Sequence, residues 1–467
     1  MLHQQRSSFS TLQAGVARVD ITPWEGVQLA GDVGRYRPAK YVLDPLYVRA
    51  LVLETTECKV CILAADLCVP VRKYLDRVRQ TVAERLGINP QAIIAHLTQT
   101  HSAPGLGHFI LTEEYPGIPP EMEWLRGGDL QYSEWVVERM IEAACLANDN
   151  LQPVQMGVGS GIEGRLAHNR RAITRDGSIL MPGPSWPRPL GPTQIRYLEG
   201  PIDPEVGGIC LRNHKLELPT IIANYSCHPV HVFPKPIISA DWPGALAKAL
   251  GDKYSPTCQP IVLNGCCGNI NPWDPFDPGY KADHQRMGIM LADTVSQVLD
   301  TLEFQQDVVL DYRAKHLAIP QRVPEPEKLA WAHQMLADHP APLPDPNRPD
   351  SIDFNWVLAN GVLDLAASQQ REPLYDYEIQ AVRLGNVAIV GLPGEPFVEG
   401  QLRLKLESKA PFNYVAHDTA SYVGYLPIPA AFKRGGHETN TGNWSRLVPE
   451  ALDRVVDEAV AMVNEMY

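Results

Sequence analysis

The segment from Tyr47 to Gly107 leaves this chain little freedom in how it can fold. Two apolar runs, Tyr47–Glu54 and residues 59–67, flank a polar turn at 55–58 and read as a strand pair. Arg72–Leu86 carries apolar residues at helical spacing and stops at Gly87. Residues 92–98 form a further strand, which runs into Gln99-Thr100-His101-Ser102 and a Pro/Gly turn. Strands alternating with helices build an α/β protein. Polar side chains just past a strand end sit at the mouth of the sheet, where such folds keep their chemistry. Alternation along an extended strand puts Gln99 and His101 on one face.

The pattern continues along the chain. Strands are expected at 154–159, 206–212, 220–226, 259–263, 377–384 and 386–390, and helices at 132–148, 242–250, 284–302 and 449–466. No internal repeat interrupts them. Residues 320–350 are proline-rich and polar, and a helical pattern follows at 353–368. Strands resume beyond it, so 320–370 reads as an insertion or lid rather than a domain boundary. The expectation is a single α/β domain over residues 1–467, a large mixed sheet flanked by helices, with a proline-rich insertion.

Composition narrows the function classes. The net charge is −13 with no basic stripe, which excludes a phosphate-backbone binder. No apolar run reaches the roughly 18–20 residues of a spanning helix, and residues 1–15 lack the apolar core of a secretory signal. The nine cysteines are odd in number, and Cys61, Cys68, Cys210 and Cys227 lie in apolar strand-like segments, as buried thiols of a reducing compartment do. Cys58/Cys61 and Cys266/Cys267 lack the second pair that a structural zinc needs. These features fit a cytoplasmic protein with a small-molecule substrate, no nucleic-acid or membrane partner, and room for a homo-oligomer.

Five polar clusters lie at strand ends: Gln99–Ser102; His168 to Arg171; Cys227-His228-Pro229-Val230-His231 with Asp241 beyond; the Gly-rich turn from Asn264 to Asn271; and Gly394-Glu395-Pro396. Imidazole and carboxylate from separate strand ends suit a catalytic metal, which keeps one coordination position open. His228 is the best histidine ligand by position. His108 and His417 read as surface or hydrogen-bonded histidines. Glu395 is either a ligand or a first-turn carboxylate favoured by the helix dipole. Arg170 and Arg171 are either ion-paired or placed to bind an oxyanion. Asp66 and Asp241 either orient histidines or cap turns.

Read together and in order, these pieces resemble the catalytic domain of the neutral/alkaline non-lysosomal ceramidases. The matching segments are GVARVDITP from Gly15, TQTHSAPG from Thr98, Asn169-Arg170-Arg171, GPIDPEVG from Gly200, CHPVH followed by SADWPG, NGCCGNINP from Asn264, LPGEPF from Leu392 and YVGY from Tyr422. The resemblance implies a zinc-dependent amidase, its metal held by two histidines, a glutamate and a tyrosine. It assigns His228, Glu395 and Tyr425 to three of those positions. The first histidine position is Gln99 here, so either His231 or His101 is a candidate replacement or the site takes another, harder divalent metal. His101 matches a histidine beside the scissile amide, and Arg170 an arginine that contacts substrate. Asn271 stands where the family has a serine near the reaction centre, and His437 where it has a tyrosine. Long members continue into an accessory domain beyond the last helix, which is not expected here.

The function these residues lead to is a metal-dependent, zinc-activated hydrolase of a small soluble amide or related acyl compound, with His101 as general acid or base. A lyase or isomerase on the same scaffold, or a non-catalytic binding homologue, are the alternatives that the altered Gln99, Asn271 and His437 keep open.

Overall fold

A computed structural model describes residues 10–182, 194–277 and 279–467. Strands β1 (Gln13–Asp20), β2 (Tyr47–Glu54), β3 (Lys59–Ala65), β4 (Ile93–Leu97), β5 (Gln152–Ile162), β6 (Glu205–Asn213), β7 (Thr220–Tyr225) and β8 (Ile261–Asn264) form one eight-stranded sheet in the order β8-β7-β6-β5-β1-β2-β3-β4. Pairing is parallel only at its two ends, between β3 and β4 and between β7 and β8. A second sheet holds β9 (Leu310–Pro320), β10 (Leu374–Leu384), β11 (Val387–Gly391) and β12 (Phe412–Ala416), in that order.

Two-residue periodicity decides how these sheets stack. In β2 and β3, Val48, Ala50, Val52, Cys61 and Leu63 face one cluster, while Leu51, Leu53, Val60 and Ile62 face another. The second cluster also takes Val382, Leu384, Val387 and Ile389 from the smaller sheet, so the two sheets pack face to face across it. Helices α1 (Arg72–Leu86) and α2 (Leu130–Asp149), then α3 (Asp241–Tyr254) and α4 (His284–Leu299), cover the outer face of the large sheet. Helices α7 (Val398–Glu407) and α8 (Ala451–Met466) cover the outer face of the small one. The result is four layers. The α/β class and helix-flanked mixed sheet expected from the sequence are present, with a second sheet in addition. Strand β9 is half-exposed along much of its length, so it offers no apolar run for a sequence reading to find.

Residues 320–370 also differ from expectation. Residues 320–350 contain a helix, α5 (Pro326–Asp338), opened by a proline at its first position, where the missing N–H costs nothing. It packs on α6 (Phe354–Arg371), and the pair shares a core with Ile110, Leu111 and Tyr115. Thr112 donates through both its backbone N–H and its hydroxyl to Asp364, each at 2.7 Å. The loop at 112–129 therefore braces α6.

One buried side chain ties the loops of the site together. Asn264, at the end of β8, donates from its amide nitrogen to the carbonyls of Thr98 and Cys227, both at 3.1 Å. Its Oδ1 accepts the Cys227 N–H at 3.2 Å, and its own N–H reaches Nε2 of His96 on β4 at 3.1 Å. The two edges of the large sheet are thus brought together where their polar loops begin.

Candidate active site

The loops after β4, β7, β8, β11 and β12 converge on a cavity of about 270 Å³. Gln99, His101, Arg170, Asn271, Glu395, Tyr425 and His437 all line it, together with Tyr422. His228 lies directly behind this wall, fully buried.

His228 is clamped by the Gly-rich turn. Its Nδ1 meets the carbonyl oxygens of Cys267 at 2.6 Å and Ile270 at 3.1 Å, and its backbone N–H donates to Ile270 O at 3.1 Å. Carbonyls only accept, so Nδ1 carries the proton and Nε2 points away from the turn. Oε2 of Glu395 stands 3.0 Å from that Nε2. Gly268 makes this approach close: a β-carbon there would meet Glu395 O at 2.4 Å.

Glu395 does not open a helix. It sits in a two-residue strand, Glu395–Pro396, paired in parallel with Tyr425–Leu426, and its direct partner is Tyr425. Helix α7 starts only at Val398. The first-turn reading of Glu395 is thereby corrected: backbone pairing, not a helix dipole, places it. Tyr422 donates to Oε1 of Glu395 at 2.8 Å. Burial alone would raise this carboxyl, but its contacts with His228, Arg170 and Tyr422 hold it below the ordinary carboxylate range.

Arg170 reaches in from the side. Its Nε donates to Glu438 at 2.7 Å, and its Nη1 lies 3.4 Å from both His228 Nε2 and Asn271 Oδ1. Its guanidinium carbon stands 5.3 Å from the Tyr425 ring centre. Glu438 accepts a second arginine, Arg171 Nη1, at 2.7 Å. Arg171 is fully buried and also pairs with Glu199, so it is structural, while Nη2 of Arg170 has no protein partner.

Gln99 and His101 both face the cavity, though not by strand alternation. Strand β4 ends at Leu97, and Gln99 takes a left-handed backbone with φ 67°. Its Oε1 accepts from the Cys267 thiol at 3.4 Å, while its Nε2 has no partner. His101 is half-buried, with ring centres 5.5 Å from His228 and 5.6 Å from Phe233. Burial and the neighbouring His228 push its pKa down, so the ring is neutral near pH 7. Gly31, at φ 90°, backs it so closely that a β-carbon would lie 2.5 Å from the imidazole.

Other candidates lie elsewhere. His231 gives Nδ1 to Asp241 at 2.7 Å and is not in the cavity wall. Asp241 therefore orients His231 rather than His228. Asp66 accepts from Arg49 Nη1 at 2.8 Å and Tyr47 N–H at 3.0 Å, away from the site. His417, read as a surface or hydrogen-bonded histidine, is fully buried, its ring 3.8 Å from the Cys267 sulfur. His437 stacks edge-on to Tyr425 at 5.6 Å. Tyr422 and Glu438 carry much of the geometry and were not singled out from sequence. Tyr422 opens the YVGY segment that ends in Tyr425, and Glu438 directly follows His437. From the insertion, Arg348 and Phe354 line the cavity.

The chain has a neutral ceramidase-like fold. It superposes on neutral ceramidase from Pseudomonas aeruginosa with a TM-score of 0.69 at 17% identity, over 98% of this chain and 74% of that one. A ceramidase complexed with C2 gives 0.68 at 16% identity, over 98% and 75%. No family model matches the chain, and no curated protein does. At such identities the likeness is one of fold, and chemistry has to be argued from the site.

Proposed function

We propose that the protein is a metal-dependent hydrolase that splits a small soluble amide or related acyl compound. The meeting of His228 and Glu395 carries this reading. Nδ1 of His228 is committed to two carbonyls, so Nε2 is the ring nitrogen that faces a carboxylate oxygen 3.0 Å away. Two acceptors approach that closely only with a proton or a cation between them. Arg170 Nη1, at 3.4 Å from Nε2, stands beyond good hydrogen-bond range. Two nitrogen or oxygen ligands of one tetrahedral zinc lie about 3.3 Å apart, close to the spacing found. His228 and Glu395 therefore fit a divalent ion, with the Tyr425 phenol beside Glu395 as a third donor. Among the described residues no three His, Cys, Asp or Glu side chains converge on a metal position. Gln99 adds only a neutral amide, so zinc is held less tightly than by a full histidine set.

A divalent ion bound there supplies a Lewis acid for a carbonyl and a water of lowered pKa. The chain's own residues do the rest. Tyr422 holds Oε1 of Glu395 and leaves Oε2 facing His228. Arg170, kept in place by Glu438, presents one of the two N–H bonds of its unpartnered Nη2 to negative charge growing on the carbonyl oxygen, and Tyr425 lies against it. His101 is neutral and open to the cavity, so it accepts a proton from the attacking water and returns it to the leaving nitrogen. The ceramidase neighbours point to an amide as the bond cleaved. The cavity lies just below the roughly 300–1,000 Å³ of drug-sized ligand sites, which favours a compact substrate. Reduced, buried thiols fit a cytoplasmic setting.

The test combines metal analysis with turnover. Purified protein is assayed by elemental analysis, then offered a panel of short N-acyl compounds with zinc or manganese in oxygen-18 water. The expected result is solvent oxygen in the acid product, with metal and activity both lost in His228→Ala. Absence of turnover across the panel in folded, metal-loaded protein refutes the proposal, and so does product without solvent oxygen.

A further inference from the structure

The polar atoms left without partners around the cavity are unequal in kind. Gln99 Nε2, Arg170 Nη2, Trp273 Nε1 and Trp444 Nε1 are all sealed from water and have no hydrogen-bond partner. Each belongs to a residue that lines the cavity and is at least nine-tenths buried, with exposures of 1%, 6%, 6% and 3%. All four are N–H donors. A fifth sealed and unpartnered atom of the wall, Nδ1 of His101, donates or accepts according to tautomer. Among the described residues, no sealed oxygen of a cavity-lining side chain lacks a partner, and Asp32, also in the wall, pairs with Arg35 at 3.6 Å. Buried N–H groups are nearly always paired in folded proteins, so four around one cavity call for a ligand or ordered water that supplies acceptors.

The four are also connected. Trp273 follows Asn271 by two residues, and Asn271 touches Arg170 at 3.4 Å. On the other side, the Trp444 carbonyl accepts the Tyr425 N–H at 2.9 Å, and Tyr425 lies under the Arg170 guanidinium. Gln99 contacts Cys267, whose carbonyl clamps His228. The residues that carry the donors are thus linked to the neighbours of Arg170 through Asn271, Tyr425 and the Cys267 turn. Between them the wall is aromatic, with Phe109, Phe233 and Phe354. A neutral amide brings a donor for every acceptor and leaves this surplus unmatched. A carboxylate brings about four acceptor positions and no donor, and a guanidinium is its natural partner.

We infer that the substrate is a short acyl amide carrying a carboxylate, whose carboxylate oxygens take the N–H groups of Arg170, Trp273, Trp444 and Gln99. This rests on the hydrolase reading for the word substrate, but the binding preference stands apart from turnover. N-acetylglycine and N-acetylglycinamide, equal in size and different in charge, serve as probes. Their dissociation constants are measured by calorimetry on the intact protein, with metal content recorded. The expected result is at least tenfold tighter binding of N-acetylglycine. Trp273→Phe and Trp444→Phe, which keep an aromatic ring and remove the donor, should each weaken that probe about three- to tenfold and leave the amide unchanged. Equal or tighter binding of the amide overturns the inference, as does unchanged N-acetylglycine binding in both variants or no millimolar binding of either probe. Carboxylate preference without any hydrolysis leaves the inference standing and removes the hydrolase reading, while hydrolysis without the preference does the reverse.

Discussion

Glu438 is the carboxylate on which the geometry of Arg170 depends, and replacing it by glutamine tests that dependence. Its two oxygens each accept one arginine N–H at 2.7 Å, from Arg170 and from Arg171, and the residue is 1% exposed. Glutamine keeps the shape but offers one acceptor and turns an NH2 toward the other arginine. One of the two buried guanidinium groups is left short of charge. Breaking a buried pair in this way costs about 3–5 kcal/mol. Protonation gives an independent figure. Burial alone would raise the Glu438 carboxyl above its ordinary 4.5, but Arg170 and Arg171 hold it at about 2. That difference corresponds to about 3 kcal/mol of stability.

An unfolding entropy of about 2.1 cal/mol/K per residue gives roughly 1 kcal/mol/K for a chain of 467 residues. Glu438→Gln should therefore melt about 3–5 °C below wild type at pH 7 and remain folded. The pH course has a definite sign. Above about 4.5 the carboxylate is charged in both folded and unfolded chains, and its whole contribution is present. As pH falls from 4.5 toward 2 the unfolded chain takes up the proton first and the contribution fades. The gap between wild type and variant should accordingly narrow between pH 5 and pH 3 in calorimetric scans. A melting point within 1 °C of wild type at pH 7, or a gap that stays constant down to pH 3, refutes the account of Glu438.

Three further outcomes are expected. Gln99→His should be accommodated, because histidine is among the residues that adopt a positive φ more readily; it should raise zinc affinity at least tenfold in chelator competition, and no change would mean that position 99 does not face the ion. Tyr422→Phe removes the 2.8 Å hydrogen bond to Glu395 and should lower turnover about 10- to 100-fold with little change in melting point. Glu378→Gln disrupts a buried pair with Arg79, at 2.6 and 2.7 Å, that joins α1 to the small sheet; it should cost about 3–5 kcal/mol in denaturant unfolding and leave metal content unaltered.

The strands of the large sheet were legible because burial on both faces leaves a continuous apolar run, as in β2 and β3. The second sheet was harder to see. Its outer strand β9 alternates Asp311, Arg313 and Lys315 with Leu310, Tyr312 and Ala314, so it shows no continuous apolar run of the kind that marks β2 and β3. Helix α5 was hidden by prolines that, from sequence, mark a loop as readily as a helix start. In the site, residues at strand ends were visible as polar breaks after apolar runs. The residues that hold them were not. Tyr422 acts through a hydrogen bond, Asn264 through four, and Glu438 through two arginines more than 260 positions away in the chain. Pairing of that range leaves no local periodicity.

Gln99 shows why a sequence match and a site can diverge even where the fold is kept. The backbone turns left-handed at the position where the resemblance expects a histidine, and it brings the side chain to the cavity all the same. The path of the loop is set by Asn264, which binds the Thr98 carbonyl one residue earlier, and by the Gln99 N–H on the Leu67 carbonyl at 2.9 Å. Neither contact depends on the side chain at 99. The loop can therefore change its donor without changing its course. Imidazole replaced by amide exchanges a lone pair suited to zinc for an N–H that seeks an acceptor. The same exchange that weakens the grip on a metal adds one more donor to a cavity wall already rich in them. On the proposed reading, this one difference moves the site away from a fully ligated ion and toward an anionic ligand, and Gln99→His should reverse both together.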